Sequence, residues 1–209
     1  MHESGPARPA VPRVRGLIFD MDGTLVDSRL DFSAMRQEME LPAGMPILEA
    51  IRDMPPGPRR EMCCQILNRH EAEAIERAVL IAGADRLAAT LQELALPHAI
   101  LTRNARKPAR AMLTALQLTS FRPVLAREDA PAKPDPAGIL KICEEWGFCP
   151  EEVVMVGDFR FDIEAGRNAG TQTILLAEGD RPEFADLADF VISSLDEMIP
   201  WILAASDPN

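Results

Sequence analysis

The feature that most limits what this chain can fold into is an alternation. Short apolar runs, VRGLIFD at 14–20, HAILT at 98–102, PVLA at 123–126, EVVMVGD at 152–158, TILLA at 173–177 and FVI at 190–192, are separated by stretches with helical spacing at 84–94, 107–116, 135–146, 162–169 and 195–204. Apolar runs without polar alternation suit strands buried on both faces. Such strands lie parallel and need crossover connections, which helices supply while covering the sheet. The pattern predicts an α/β fold with a doubly wound parallel sheet and ligands at the carboxyl ends of the strands.

One stretch breaks the alternation. From Ser28 to Gly83 only helical patterns occur: DFSAMRQEME at 31–40, ILEAIRD at 47–53 and a long PRREMCCQILNRHEAEAIERAVLIA at 58–82. Pro42, Pro46, Pro55, Pro56 and Pro58 separate them, because proline cannot continue a helix interior but is tolerated in a first turn. The expected organisation is a loose leader at 1–13, a core domain made of 14–27 and 84–209, and a small all-helical cap at 28–83. Met62, Ile66, Ile75, Val79 and Leu80 are expected to form the cap's packing stripe. Hinges are expected at 26–28 and 82–84, with Gly83 flexible and Asp27 either capping the first helix or serving the hinge.

Composition narrows the function. With 209 residues, 47% hydrophobic and 26% charged, the chain can bury a substantial core without staples. Its 22 basic and 33 acidic residues leave a net charge of −11, which argues against nucleic acid or an anionic membrane as partner. An anionic substrate then needs local positive charge, and Lys107, Lys133 and Lys141 are the only lysines. Cys63, Cys64, Cys143 and Cys149 form no CxxC pair and have no histidines at zinc spacing, as expected of reduced thiols in a cytoplasmic protein. No run approaches the ~20 apolar residues of a membrane span, and MHESGPARPAVPRVR lacks the apolar region of a signal peptide.

The strand ends carry the polar groups. The first presents Asp20 and Asp22, the second Thr102, Arg103 and Asn104, a later loop Lys133, and a further strand end Asp158 with Asp162 after it. Two carboxylates one residue apart repel unless something lies between them. Asp20, Asp22 and Asp158 make an oxygen-rich cluster suited to a hard cation such as Mg²⁺. Lys133, the Thr102 hydroxyl and backbone N–H groups near Arg103 and Asn104 suit phosphoryl oxygens. Taken singly, Asp22-Gly23 is a turn signal, Asp158 a helix cap, Lys133 a solvated loop lysine and Thr102 a strand-end hydroxyl. Taken together at successive strand ends, they describe a phosphoryl-transfer centre.

The motifs DMDGT at 20–24, Thr102, Lys133 and GDFRFD at 157–162 resemble, in order, the four motifs of the haloacid dehalogenase superfamily. AGRNAG at 165–170 and KPDP at 133–136 resemble its phosphoglycolate phosphatase-like branch. The resemblance implies a Rossmann-like core with a cap, in which Asp20 attacks phosphorus to form an aspartyl-phosphate and Asp22 protonates the leaving oxygen, then activates water. It implies Mg²⁺ on the Asp20 carboxylate, the Asp22 carbonyl and the Asp158 carboxylate, with Asp162 direct or through water. Thr102 and Lys133, with the backbone at Arg103 and Asn104, would hold the phosphoryl group.

Within that superfamily the presence of Asp22 disfavours dehalogenation, and a cap without lysine disfavours phosphonate hydrolysis. The small cap favours hydrolysis over a phosphomutase of the β-phosphoglucomutase type; a low-turnover phosphate-binding regulatory protein is a further alternative. The expectation is a Mg²⁺-dependent phosphatase acting on a small phosphorylated metabolite, with Arg29 and Arg36 as first candidates for substrate specificity.

Overall fold

A computed structural model describes residues 14–179 and 181–205, so the leader at 1–13 lies outside the described residues. In chain order the elements are β1 (Gly16–Phe19), β2 (Val26–Asp27), α1 (Phe32–Glu38), α2 (Ile47–Asp53), α3 (Pro58–Ala74), β3 (Val79–Leu80), α4 (Ala84–Glu93), β4 (His98–Leu101), α5 (Arg106–Ala115), β5 (Val124–Leu125), α6 (Ala137–Trp146), β6 (Val153–Gly157), α7 (Arg160–Ala169), β7 (Gln172–Leu176), β8 (Phe190–Ile192) and α8 (Met198–Ala205). A six-stranded sheet runs β5-β4-β1-β6-β7-β8, with every neighbouring pair parallel. The chain moves outward from β1 through β4 to β5, then restarts at β6 on the other side of β1. That reversal opens a crevice at the carboxyl ends of β1 and β6.

Alternation of side chains along β1 explains why helices are needed on both faces. Leu17 and Phe19 pack with Leu87 and Leu91 of α4, Met112 of α5 and Ile202 of α8. Ile18 points the other way, into Ile139 and Ile142 of α6 and Ala165 of α7. Each large buried side chain of this kind contributes about 1.5–3 kcal/mol of burial free energy, which fixes the strand ends that carry the polar groups.

Between β2 and β3 lies the helical insert. Met35 and Met39, Ile47 and Ile51 of α2, and Cys63, Ile66 and Leu67 of α3 form its own apolar cluster. Asp31 caps α1, accepting from Ser33 N at 3.0 Å and Ala34 N at 2.8 Å. Asp27 instead lies in β2 and accepts from Arg29 N at 3.0 Å, so it does not cap the first helix.

The long helix expected to reach Ala82 stops at Ala74. Val79 and Leu80 pair antiparallel with Asp27 and Val26, and this strand pairing overrides the helical spacing. The expected packing stripe holds only in part: Ile66 is buried in the insert's cluster and Ile75 and Leu80 pack against the core's, but Met62 and Val79 are 40% and 41% exposed. Elsewhere boundaries shift by a residue or two, and a 3₁₀ turn at Leu195–Glu197 precedes α8. Among the described residues no helix is long and apolar enough to cross a membrane.

Candidate active site

The end of β1 delivers Asp20, whose N–H donates to Val156 O at 2.8 Å and so ties it to β6. The chain then folds back on itself, with Gly23 N donating to Val26 O at 2.8 Å and Val26 N to Met21 O at 2.9 Å. Gly23 is required twice over. Its φ of +81° is left-handed, and a Cβ there would lie 2.2 Å from Asp158 Oδ2. Asp158, just beyond β6, is held by the Thr24 hydroxyl at 3.1 Å. Gly157 makes room for Asp162, since a Cβ on it would sit 2.3 Å from Asp162 Cβ.

Beyond β4, Thr102 N donates to Leu125 O at 2.9 Å, and Thr102 Oγ1 accepts from Asn104 N at 3.1 Å. The Asn104 amide donates to Asp22 Oδ2, while Asp22 Oδ1 is buried without a partner among the described residues. Lys133 is only 1% exposed, so its ammonium must be compensated from within the protein. It donates to Asp20 Oδ1, to Asp162 Oδ1 at 2.7 Å and to Leu101 O at 2.7 Å, which accounts for all its donors. The other oxygen of Asp162 accepts from Phe159 N at 3.0 Å and caps the start of α7.

Asp20, Asp158 and Asp162 each offer an oxygen within 4.8 Å of the others. Burial holds Asp20 well above the usual carboxylate range; Lys133 opposes this, and Asp162 and Asp158 add to it. Asp158 is pushed up to about 7 by burial and by Asp162. Burial likewise raises Asp22, although Ser28 and Asn104 beside it favour its ionised form. Burial alone would lower Lys133, but Asp162 and Asp20 outweigh it and keep the ammonium charged. Several hard oxygens crowded at the cost of raised pKa values form a donor set that a small divalent cation fits, because such a charge reverses the repulsion.

These acids line a cavity of about 430 Å³ together with Thr102, Arg103 and Asn104, and Arg29 and Arg36 face it from the insert. Lys133 lies behind the wall, against Asp20. The structure thus gathers every residue that the sequence nominated, but not every side chain acts where expected.

Residues 17–176 match the family model for haloacid dehalogenase-like hydrolases. The chain belongs to that family. It is 33% identical over 207 residues to a haloacid dehalogenase-like hydrolase domain-containing protein of Arabidopsis thaliana, covering 90% of this chain and 84% of the relative. It is 29% identical over 188 residues to the N-acetylmuramic acid 6-phosphate phosphatase of Pseudomonas aeruginosa, covering 80% and 83%. A crystal structure of a predicted phosphoglycolate phosphatase from Haemophilus somnus shares the fold, with a TM-score of 0.73 at 20% identity and coverage of 94% and 99%.

In this haloacid dehalogenase-like hydrolase the Arg103 side chain turns away from the acids. It donates to Lys133 O, reaches both Glu49 oxygens at 2.6 and 2.7 Å, and lies 4.5 Å above the Phe161 ring. Arg127 makes a second link to the insert through Glu71 and through Asn68 Oδ1 at 2.8 Å, and Glu71 also accepts from Ala105 N at 3.3 Å. Sequence reasoning missed Glu49, Asn68, Glu71 and Arg127. Their pairings join residues 54 to 59 positions apart and leave no local pattern. The Asn104 side chain was also undervalued, since its amide, as well as its backbone, meets the site.

Proposed function

We propose that this hydrolase cleaves a small phosphate monoester, with Mg²⁺ as cofactor, through an aspartyl-phosphate on Asp20. The different surroundings of two carboxylates on one loop carry the proposal. Asp20 is ion-paired with Lys133, which suits a nucleophile. Asp22 is held by the Asn104 amide, has one oxygen without a hydrogen-bond partner among the described residues and has a raised pKa, which suits a proton carrier.

In the first step an Asp20 oxygen bonds to phosphorus as the bond to the leaving oxygen breaks, and Asp22 gives its proton to that oxygen. In the second, water gives a proton to Asp22 and attacks phosphorus, freeing Asp20 and inorganic phosphate. The Thr102 hydroxyl, already accepting from Asn104 N, has its own hydrogen left to donate to a phosphoryl oxygen. Lys133 supplies positive charge beside Asp20. Mg²⁺ would be held by the Asp20 and Asp158 carboxylates and the Asp22 carbonyl with Asp162 alongside, and when bound supplies charge that offsets the phosphoryl oxygens. The insert at 28–83 acts as a cap that excludes water, swinging on β2 and β3. Four free cysteines, one exposed, suit a reducing cytoplasm.

Asp20→Asn tests the proposal. Turnover of p-nitrophenyl phosphate with Mg²⁺ is expected to fall by about 10⁴-fold or more. Acid-quenched Asp22→Asn protein is expected to carry one phosphate by mass spectrometry. Undiminished turnover by Asp20→Asn would overturn the mechanism.

A further inference from the structure

We propose that Glu71 is a positioning residue for proton delivery: from the insert it clamps the Asn104–Ala105 peptide and, through the Asn104 side chain, fixes the Asp22 carboxyl. The assignment rests on the phosphatase function proposed above. Glu71 lies on α3 and lines the cavity, yet it is only 2% exposed, whereas Glu61 and Glu73 on the same helix are exposed. An apolar side chain would fill that place without the cost of taking a carboxylate out of water. Both oxygens of Glu71 are instead used on the core: one accepts from the Arg127 guanidinium and the other from Ala105 N at 3.3 Å.

Those two bonds close a ring. The peptide that joins Asn104 to Ala105 accepts at its carbonyl from Arg127 N at 3.1 Å and donates at its N–H to Glu71, while the Arg127 side chain reaches Glu71 as well. One peptide plane is thereby held at both edges by two residues that also hold each other. On its other side, Asn104 N donates to the Thr102 hydroxyl at 3.1 Å. With its backbone fixed at both ends, Asn104 aims its side-chain amide at Asp22 and donates to Oδ2. The other oxygen of Asp22 has no hydrogen-bond partner among the described residues, which leaves the orientation of this carboxyl sensitive to Asn104. Asp22 gives its proton to the leaving oxygen as the bond from that oxygen to phosphorus breaks. The step tolerates little displacement, since a misplacement of about 1 Å can cost roughly 10²-fold.

The leaving group reads this out. Cleavage of p-nitrophenyl phosphate releases a stable phenolate and draws little on an acid, whereas p-nitrobenzyl phosphate, one methylene longer, releases an alkoxide that must be protonated. With Mg²⁺ present, Glu71→Gln is expected to lower kcat/KM about tenfold for the benzyl ester and less than about twofold for the phenyl ester. Asn104→Ala is expected to show the same selective fall. Adding Glu71→Gln to it is expected to lower the benzyl ester no further, because the two residues act in one chain. An equal fall for both esters, no fall for either, or losses that multiply in the double variant overturns the assignment and leaves the phosphatase function standing. Should Glu71→Gln not fold, Arg127→Met opens the same ring from its other side and is read by the same criteria. Turnover of neither ester by the wild type counts against the phosphatase function, and nuclear magnetic resonance then decides for Glu71. The Asn104 side-chain amide signals are expected to shift in Glu71→Gln and their exchange with water to quicken, and unchanged signals overturn the assignment.

Discussion

The core and the insert hold their charged groups in opposite ways. At the sheet ends Asp20, Lys133 and Asp162 are packed out of water by strands paired on both sides, and each is fixed by backbone as well as by its neighbours. The insert has a smaller apolar cluster of its own and meets the core through the end of α3, where Ala74 and Ile75 join the core's cluster, and through polar side-chain links, Arg103 with Glu49 and Arg127 with Glu71 and Asn68. The same kinds of ion pair therefore do different work. In the core they fix the buried acids and lysine among paired strands, and at the insert they tie residues 28–83 to a sheet that the chain reaches through the two-stranded ribbon of β2 and β3.

Removing one partner should separate the two regions most clearly at Lys133. Lys133→Met leaves Asp20 and Asp162 buried without their cation, and is expected to cost about 3–5 kcal/mol in chemical denaturation. Arg127→Met in the insert link is expected to cost less; equal losses would break the contrast. The next effect is set by pH. Asp158 is raised from 3.8 to about 7 in the folded protein, so its contribution to stability is present below about pH 4 and is lost as pH rises through about 7. Asp20 and Asp22 shift in the same direction. Metal-free protein should lose up to about 4 kcal/mol across that window, and the Mg²⁺-induced rise in Tm should grow with pH over the same range. A Tm gain that is flat with pH would count against metal binding at these acids.

Gly23→Ala forces a side chain into a left-handed turn and against Asp158, so it is expected to cost about 1–2 kcal/mol and to reduce kcat more than stability. The smallest effect belongs to the clasp. Arg103→Met should destabilise by about 1 kcal/mol or less, yet raise KM severalfold, because it loosens the insert without touching the acids. Small-angle scattering with a phosphate mimic and Mg²⁺ should show less compaction in that variant than in the wild type.

The core was legible in the sequence because each of its features has a local signature. Uninterrupted apolar runs mark strands buried on both faces, and polar residues just past them mark the crevice, so Asp20, Asp22, Thr102, Lys133, Asp158 and Asp162 could be named in advance. The insert was legible only as helices. Val79 and Leu80 fit a helical stripe, and nothing near them reveals that Val26 and Asp27 are their partners. A strand of two residues has no period to detect. Arg103 was seen as a neighbour of the phosphate, but the direction of its side chain depends on Glu49, which is distant in sequence.

The ribbon of β2 and β3 has a mechanical consequence. Val26 is both a ribbon residue, paired with Leu80, and the residue whose backbone closes the loop carrying Asp22, through Gly23 N at 2.8 Å and Met21 O at 2.9 Å. Ile81 N, just beyond β3, holds Leu25 O at 3.0 Å from the other side. The ribbon and the acid-bearing loop share one set of peptide planes. Under the proposed mechanism, torque applied at the insert would reach the Asp22 carboxyl through backbone alone, and lid position and proton delivery would be two readings of a single lever.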